Sequence, residues 1–83
     1  MKVTYAGGDG SSFEKAVIIK GATEQTGVRA EYQWLAKNYP GYMRRRQSLK
    51  QNDGKVYDVL AITTEGGKEL DVYFDITEFF GKR

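Results

Sequence analysis

The fold is decided by residues 42–76, YMRRRQSLKQNDGKVYDVLAITTEGGKELDVYFDI. Two groups of turn-forming residues, at 52–54 (Asn-Asp-Gly) and 65–67 (Glu-Gly-Gly), divide this stretch into three runs with the composition of strands. We therefore predict a three-stranded antiparallel meander with strands at residues 42–51, 55–64 and 68–76.

The second hairpin of this meander has a register that the sequence specifies. Apolar residues from Leu70 to Ile76 alternate with polar ones, which is typical of a half-buried strand. A three-residue loop at 65–67, with Gly67 at a positive φ, pairs Thr64 with Lys68. The facing pairs on one side of the sheet are then Ile62 with Leu70, Leu60 with Val72, Asp58 with Phe74 and Val56 with Ile76.

The first hairpin is less determined. Its best apolar match aligns Leu49 and Met43 with Val56 and Ile62, which requires a loop of even length. The turn at residues 52–54 alone favours a three-residue loop. A slip of one residue exchanges the two faces of the strand, so the sequence leaves this register open.

One amphipathic helix precedes the meander. Either Thr23 or Thr26 can cap it, and Gly27, a poor residue inside a helix, favours Thr26 or a broken first turn. The helix runs to about Asn38 and is ended by Pro40 and Gly41. Its apolar stripe consists of Val28, Tyr32, Leu35 and Tyr39, which places Arg29, Glu31, Gln33 and Lys37 mostly on the solvent side.

Two short segments before the helix are candidate strands, at residues 3–5 and 16–19. The predicted fold is α+β: one helix packed on a three- to four-stranded antiparallel sheet, in the order (β)-β-α-β-β-β. The 83 residues form a single domain. Phe79 and Phe80, in a C-terminal turn, are expected to close one end of its core.

Composition excludes several functional classes. The chain has no histidine and no cysteine, so the commonest general base and the strongest nucleophile are both missing. We predict a protein that is not an enzyme and has no cofactor and no metal. No apolar run is long enough for a signal peptide or a membrane span, which favours a cytoplasmic location.

Charge is distributed unevenly along the chain. Residues 1–50 carry nine Lys and Arg against four Asp and Glu, while residues 51–83 carry four against seven. The net charge of +2 is small for a protein dedicated to duplex DNA. The positive charge peaks at residues 44–46, three consecutive arginines.

The outer face of the meander is the candidate binding face. Strand alternation places Arg44 and Arg46 on one side with Lys50, and Arg45 on the other. Tyr57 and Tyr73 are predicted on that outer side, with Val59 and Ala61 between them. An exposed aromatic centre rimmed by opposite charges favours a protein partner or a second copy of the chain. The predicted face comprises Arg44, Arg46, Lys50, Tyr57, Val59 and Tyr73; the alternative is that residues 1–6 cover its centre.

Three other features are assigned structural roles. The glycine-rich loop at residues 7–12 lacks the pattern of a phosphate-binding loop. The acidic residues Glu69, Asp71 and Asp75 lie on an open strand face, where nothing desolvates them. Asp58 falls among apolar neighbours and therefore needs a hydrogen-bonding partner; Gln47, Arg45 and a backbone N–H group are candidates.

Several short sequence segments, taken together, resemble those of a group of small single-domain bacterial proteins of unknown function. These segments are Gly7-Gly8-Asp9-Gly10-Ser11-Ser12 with Glu14-Lys15-Ala16, Ala30-Glu31-Tyr32, Trp34-Leu35, Tyr57-Asp58, Tyr73-Phe74-Asp75-Ile76 and Phe79-Phe80-Gly81. The resemblance covers nearly the whole chain. It implies a small bacterial cytosolic protein and transfers no site residues.

Two functions follow as hypotheses. The first is a non-enzymatic module for protein interaction or self-association through the outer face. The alternative is a weak single-stranded nucleic-acid-binding domain, because arginines beside exposed aromatic rings are the usual ingredients of such surfaces.

Overall fold

The computed structural model describes residues 3–81. Within this range the chain forms one helix and one five-stranded sheet. The elements are β1 (Thr4–Gly7), β2 (Val17–Lys20), α1 (Glu24–Asn38), β3 (Met43–Asn52), β4 (Lys55–Thr63) and β5 (Glu69–Asp75).

The strand order across the sheet is β1-β2-β5-β4-β3. Neighbouring strands are antiparallel except β2 and β5, which are parallel. The α+β class with one helix is confirmed, but the prediction of three to four antiparallel strands is incomplete. The fifth strand and the parallel pair arise because β5 returns to lie between β4 and β2, and β2 in turn pairs with β1.

The register of β4 and β5 is the one the alternation predicted. Ile62 faces Leu70, Leu60 faces Val72 and Asp58 faces Phe74. Beyond the strand end, the Ile76 N–H donates to the Val56 carbonyl at 3.0 Å, which continues the same pairing. One face of the two strands is therefore apolar except at Asp58.

The first hairpin has the even-length loop that the apolar match required, but its register is shifted by two residues. Asn52 pairs with Lys55, so the loop is Asp53 and Gly54, and both have positive φ values, 53° and 76°. This is the conformation of a tight two-residue turn that matches strand twist. Leu49 consequently faces Asp58 rather than Val56.

Thr23 caps the helix, which begins at Glu24, so the prediction of Thr26 as the cap is wrong. The Thr23 hydroxyl accepts from the Thr26 N–H at 3.3 Å, and the Thr26 hydroxyl accepts from the Thr23 N–H at 2.8 Å. Position 27 inside the helix requires a glycine because the ring of Phe79 packs against it. A Cβ atom there would lie 2.3 Å from the ring of Phe79.

The buried face of the helix is rotated from the predicted stripe by about one position. Val28 is 41% exposed, whereas the neighbouring Gly27 is buried. Glu31, predicted on the solvent side, is also buried. One position corresponds to about 100° around a helix, so a residue predicted at the edge of the apolar stripe can lie at the centre of the buried face. The buried helical residues are Gly27, Ala30, Glu31 and Leu35.

The main core lies between the helix and one face of the sheet. Phe74 is fully buried there, and the ring of Trp34 packs edge-on against it with centroids 5.5 Å apart. Phe79 closes one end of this core, as predicted, while Phe80 is 44% exposed. The remaining buried core residues are Val17, Ile19, Ala30, Leu35, Leu60, Ile62, Val72 and Ile76.

Replacing Gly27 with alanine is expected to destabilise the protein, although alanine is the better helix former. The added methyl group collides with the buried Phe79 ring, and overpacking of about 1–3 kcal/mol outweighs a propensity gain of about 1 kcal/mol. Urea denaturation measures the difference. Gly66→Ala is the matched control, because the nearest atom to its Cβ is 4.0 Å away. Equal or greater stability of Gly27→Ala would contradict the packing.

Candidate functional site

The predicted outer-face centre exists but is covered. Tyr57, Val59 and Tyr73 lie together on the side of the sheet away from the helix. Tyr57 and Val59 are only 5% and 6% exposed. Phe13 packs edge-on against both tyrosine rings, with centroids 4.9 Å apart in each case. The prediction of an exposed aromatic centre is therefore wrong, and the cover comes from Phe13 in the loop between β1 and β2. Of the segment 1–6 proposed as an alternative cover, residues 3–6 do not pack on this cluster, and residues 1 and 2 lie outside the described residues.

Backbone hydrogen bonds hold this covering loop in place. The Gly8 N–H donates to the Ala16 carbonyl at 3.1 Å, and the Gly10 N–H donates to the Lys15 carbonyl at 2.7 Å. The Gly10 carbonyl accepts from the Tyr73 N–H at 2.8 Å, which fastens the loop to β5. Because these glycine N–H groups are already used, they do not form a phosphate cradle.

The arginines of β3 are divided between the two faces. The pairing of β3 with β4 is interrupted between Arg44 and Arg46 by a bulge, so Arg44 faces Ile62 and Arg46 faces Ala61. The prediction that Arg44 and Arg46 share a face is therefore wrong. Arg44 lies on the helix side, where it donates a hydrogen bond to the Tyr32 hydroxyl with its guanidinium 5.4 Å from that ring centroid. Arg46 and Lys50 lie on the outer side.

The acidic residues of β5 do not form a reactive pair. Glu69 is 3.9 Å from Arg45 in a solvent-exposed ion pair. Asp75 is buried, and its Oδ1 accepts from the backbone N–H and the hydroxyl of Thr77 at 3.0 and 2.6 Å. Their roles are those of surface pairing and turn capping.

A different pair of carboxyl groups lies on the helix side of the sheet. Asp58 of β4 is 4% exposed, and both of its oxygens accept from the Gln47 side-chain amide, at 2.9 and 2.8 Å. Gln47 is one of the partners predicted for it. Glu31 of α1 is 1% exposed, and neither of its oxygens meets a hydrogen-bond donor among residues 3–81. Its hydrogen-bonding neighbour is the Asp58 carboxyl, itself an acceptor.

This environment keeps Glu31 protonated. Burial, then a hydrogen bond with Asp58, then the negative charge of Asp58 raise the pKa of Glu31 to about 10. In that state the Glu31 hydroxyl donates a hydrogen bond to the Asp58 carboxyl.

The carboxyl pair lies in a groove of about 480 Å³. Val28 and Leu49, 41% and 57% exposed, line it together with Phe80. The buried side chains of Ile76 and Phe79 also contribute to the lining. The groove is thus an apolar slot with two acids, of the size that small ligands occupy in proteins.

Only one of the two carboxyl groups of this site could be recognised from the sequence. Asp58 was recognisable as the one polar residue on an apolar strand face. Glu31 was not, because a stripe defined by Val28, Tyr32 and Leu35 leaves it on the flank. The position of Gly27, one turn earlier, could have indicated the true buried face, since a glycine inside a helix often marks a close approach.

Two further observations concern metal binding and membrane spanning by the described residues. No group of three or more acidic, histidine or cysteine side chains within residues 3–81 is placed to hold a metal ion. The helix Glu24–Asn38 is neither long nor apolar enough to cross a membrane.

Comparisons with family models, with curated proteins and with solved structures find no match to the chain. The resemblance to small bacterial proteins of unknown function therefore stays a prediction.

Proposed function

We propose that the protein is a non-enzymatic protein-binding module that adds an extended acidic segment of a partner protein to the outer edge of β3. The observation that carries this proposal is the character of β3. It is the terminal strand of the sheet, ten residues long, and every residue in it except Ser48 is exposed.

An edge strand offers hydrogen bonds to another chain. Alternate residues of β3 direct their N–H and C=O groups away from β4, and these groups are the usual template for strand addition. The pairing with β4 is regular from Arg46 to Asn52, beyond the bulge. A segment of about seven residues can therefore lie along this part of the edge.

The charge of β3 selects the partner. Arg44, Arg45, Arg46 and Lys50 are its charged residues, and none is acidic. Addition of a second copy of β3 would place these like charges side by side, which is unfavourable. An acidic segment is attracted instead, and the attraction also accelerates encounter.

The same positive charge would attract single-stranded nucleic acid. That alternative also needs exposed rings on which bases stack. Tyr57, which would be one of these rings, lies beneath Phe13. The burial of Tyr57 favours a protein segment, and the experiment below separates the two ligands.

The test uses a fluorescent seven-residue peptide in which valine alternates with aspartate or glutamate. Its binding is compared with that of a sequence-matched lysine peptide and of single-stranded RNA. We expect the acidic peptide to bind, and Arg46→Glu with Lys50→Glu to weaken it at least about tenfold, since each charge contributes on the order of 1 kcal/mol. Lys20→Glu with Lys37→Glu, two exposed residues outside β3, changes net charge equally and serves as control.

Backbone methylation tests the pairing itself. N-methylation of the peptide on the edge that faces β3 should abolish binding, whereas methylation on the opposite edge should not. Tight binding of RNA with none of the acidic peptide, or equal effects of both methylation patterns, would overturn the proposal.

A further inference from the structure

We propose that the groove containing Glu31 and Asp58 binds a primary ammonium group carried on an apolar body, with the ammonium between the two carboxyl groups. This site is separate from the outer edge of β3 and is independent of the function proposed for that edge.

The first argument is the unsatisfied state of Glu31. It is 1% exposed, yet both of its oxygens lack a donor within residues 3–81. The Glu31 hydroxyl donates to Asp58, but the acceptor capacity of its oxygens is unused, and an unused buried acceptor requires an explanation. An aliphatic residue at this position of α1 would fill the same space without that penalty.

The second argument is the distribution of donors around the pair. The side-chain amide of Gln47 donates hydrogen bonds only to Asp58. Glu24 also lines the groove, but its Oε2 accepts from the Gly81 N–H at 2.8 Å. No lysine or arginine lines the groove among the described residues. The missing elements are therefore hydrogen-bond donors and positive charge, and an ammonium group supplies both.

The third argument excludes other ligand classes. An anion would meet the negative charge of the pair. A bare calcium or magnesium ion needs six or more oxygen ligands, and the groove does not assemble such a set. A neutral ligand supplies no charge. The apolar lining from Val28, Leu49 and Phe80 fits a hydrocarbon body attached to the ammonium.

Binding is coupled to release of one proton. With the pKa of Glu31 at about 10, the free protein holds a proton on the Glu31 carboxyl group. The entering ammonium replaces it: Glu31 gives its proton to solvent, and the ammonium N–H groups donate to Glu31 and Asp58. The other charged side chains lining the groove are Asp58 on β4 and Glu24 on α1, and neither is cationic. The affinity should therefore rise about tenfold per pH unit from pH 6 to 9, while an alkyl ammonium stays charged.

The experiment is isothermal titration calorimetry with n-hexylammonium at pH 7, in phosphate and in Tris buffer. The two buffers differ in protonation enthalpy, so the difference in heat counts the protons released. We expect a value close to one, and at least tenfold weaker binding of 1-hexanol and of hexanoate. Nα-acetyl-lysine methylamide is a parallel probe: tighter binding of it than of hexylammonium identifies a protein lysine as the source of the ammonium, and the reverse order identifies a free amine.

Glu31→Gln keeps the shape of the side chain and removes its ability to ionise. It should weaken hexylammonium at least tenfold, abolish proton release and flatten the pH dependence of affinity. Glu14→Gln, at an exposed position of the covering loop, should change none of these. Equal affinity for hexanol and hexylammonium, no proton release, or no binding of either ammonium probe at millimolar concentration would each overturn the proposal.

Discussion

Raising the pH from 5.5 to 8.5 is expected to lower the free energy of unfolding by about 4 kcal/mol. Glu31 is protonated in the folded protein, where its pKa is raised to about 10, and ionised in the unfolded chain above about pH 4.5. Between those values the folded state binds one more proton than the unfolded state. Stability is therefore greatest below the unfolded pKa, and it falls by about 1.4 kcal/mol per pH unit as the pH rises towards the folded pKa.

The composition of the chain removes other titrating side chains from this pH range. It has no histidine and no cysteine, so no other side chain has an ordinary pKa inside the window. The other charged side chains that line the groove are Asp58 and Glu24, both acids. Urea denaturation at intervals of half a pH unit gives the slope.

Glu31→Gln should remove the slope, because glutamine does not titrate. The variant should be more stable than the unmodified protein at pH 8.5 and close to it at pH 5.5. A flat profile for the unmodified protein would show that Glu31 is ionised in the folded state, and the assignment of a proton to Glu31 would then be wrong.

Phe74→Ala is expected to cost about 3–5 kcal/mol, a large part of the stability of a domain of this size. Phe74 is fully buried at the centre of the core, opposite Asp58 on β4 and beside Val17 on β2. Its removal leaves a cavity beneath Trp34, whose ring packs edge-on against it. Thermal denaturation followed by circular dichroism should show a large fall in Tm or no folded baseline.

Phe80→Ala is the matched control, since the same substitution is made at a residue 44% exposed. It should lower the unfolding free energy by no more than about 1 kcal/mol. Similar melting curves for the two variants would place Phe74 outside the core and invalidate the assignment of the two sheet faces.

The β4–β5 hairpin was predictable because all the necessary information is local. Alternation from Leu70 to Ile76 defines a face, and the Gly66-Gly67 turn defines the pairing. The parallel contact of β2 with β5 was not predictable in this way. It involves Val17 and Ile18 pairing with Phe74 and Asp75, residues far apart in the chain, and a four-residue strand carries no period from which a partner is inferred.

The functional surfaces were mispredicted for related reasons. The bulge in β3 moves Arg44 to the helix side, and three consecutive arginines contain no signal for its position. Phe13 is a single aromatic residue in a loop of glycine and serine, and nothing periodic connects it with Tyr57. Glu31 lies on the buried face because Gly27 admits the Phe79 ring, a contact between two distant segments.

The order of the strands has a consequence for synthesis of the chain. β5, which joins β2 to β4 at the centre of the sheet, leaves the ribosome after the other four strands of residues 3–81. Until it emerges, the β1–β2 ribbon and the β3–β4 hairpin have no strand in common, and the apolar faces of β2 and β4 stay open. Small two-stranded ribbons are marginal in water. The domain therefore folds in one step only after β5 has emerged, and a ribosome stalled before residue 69 presents an unfolded chain to chaperones and proteases.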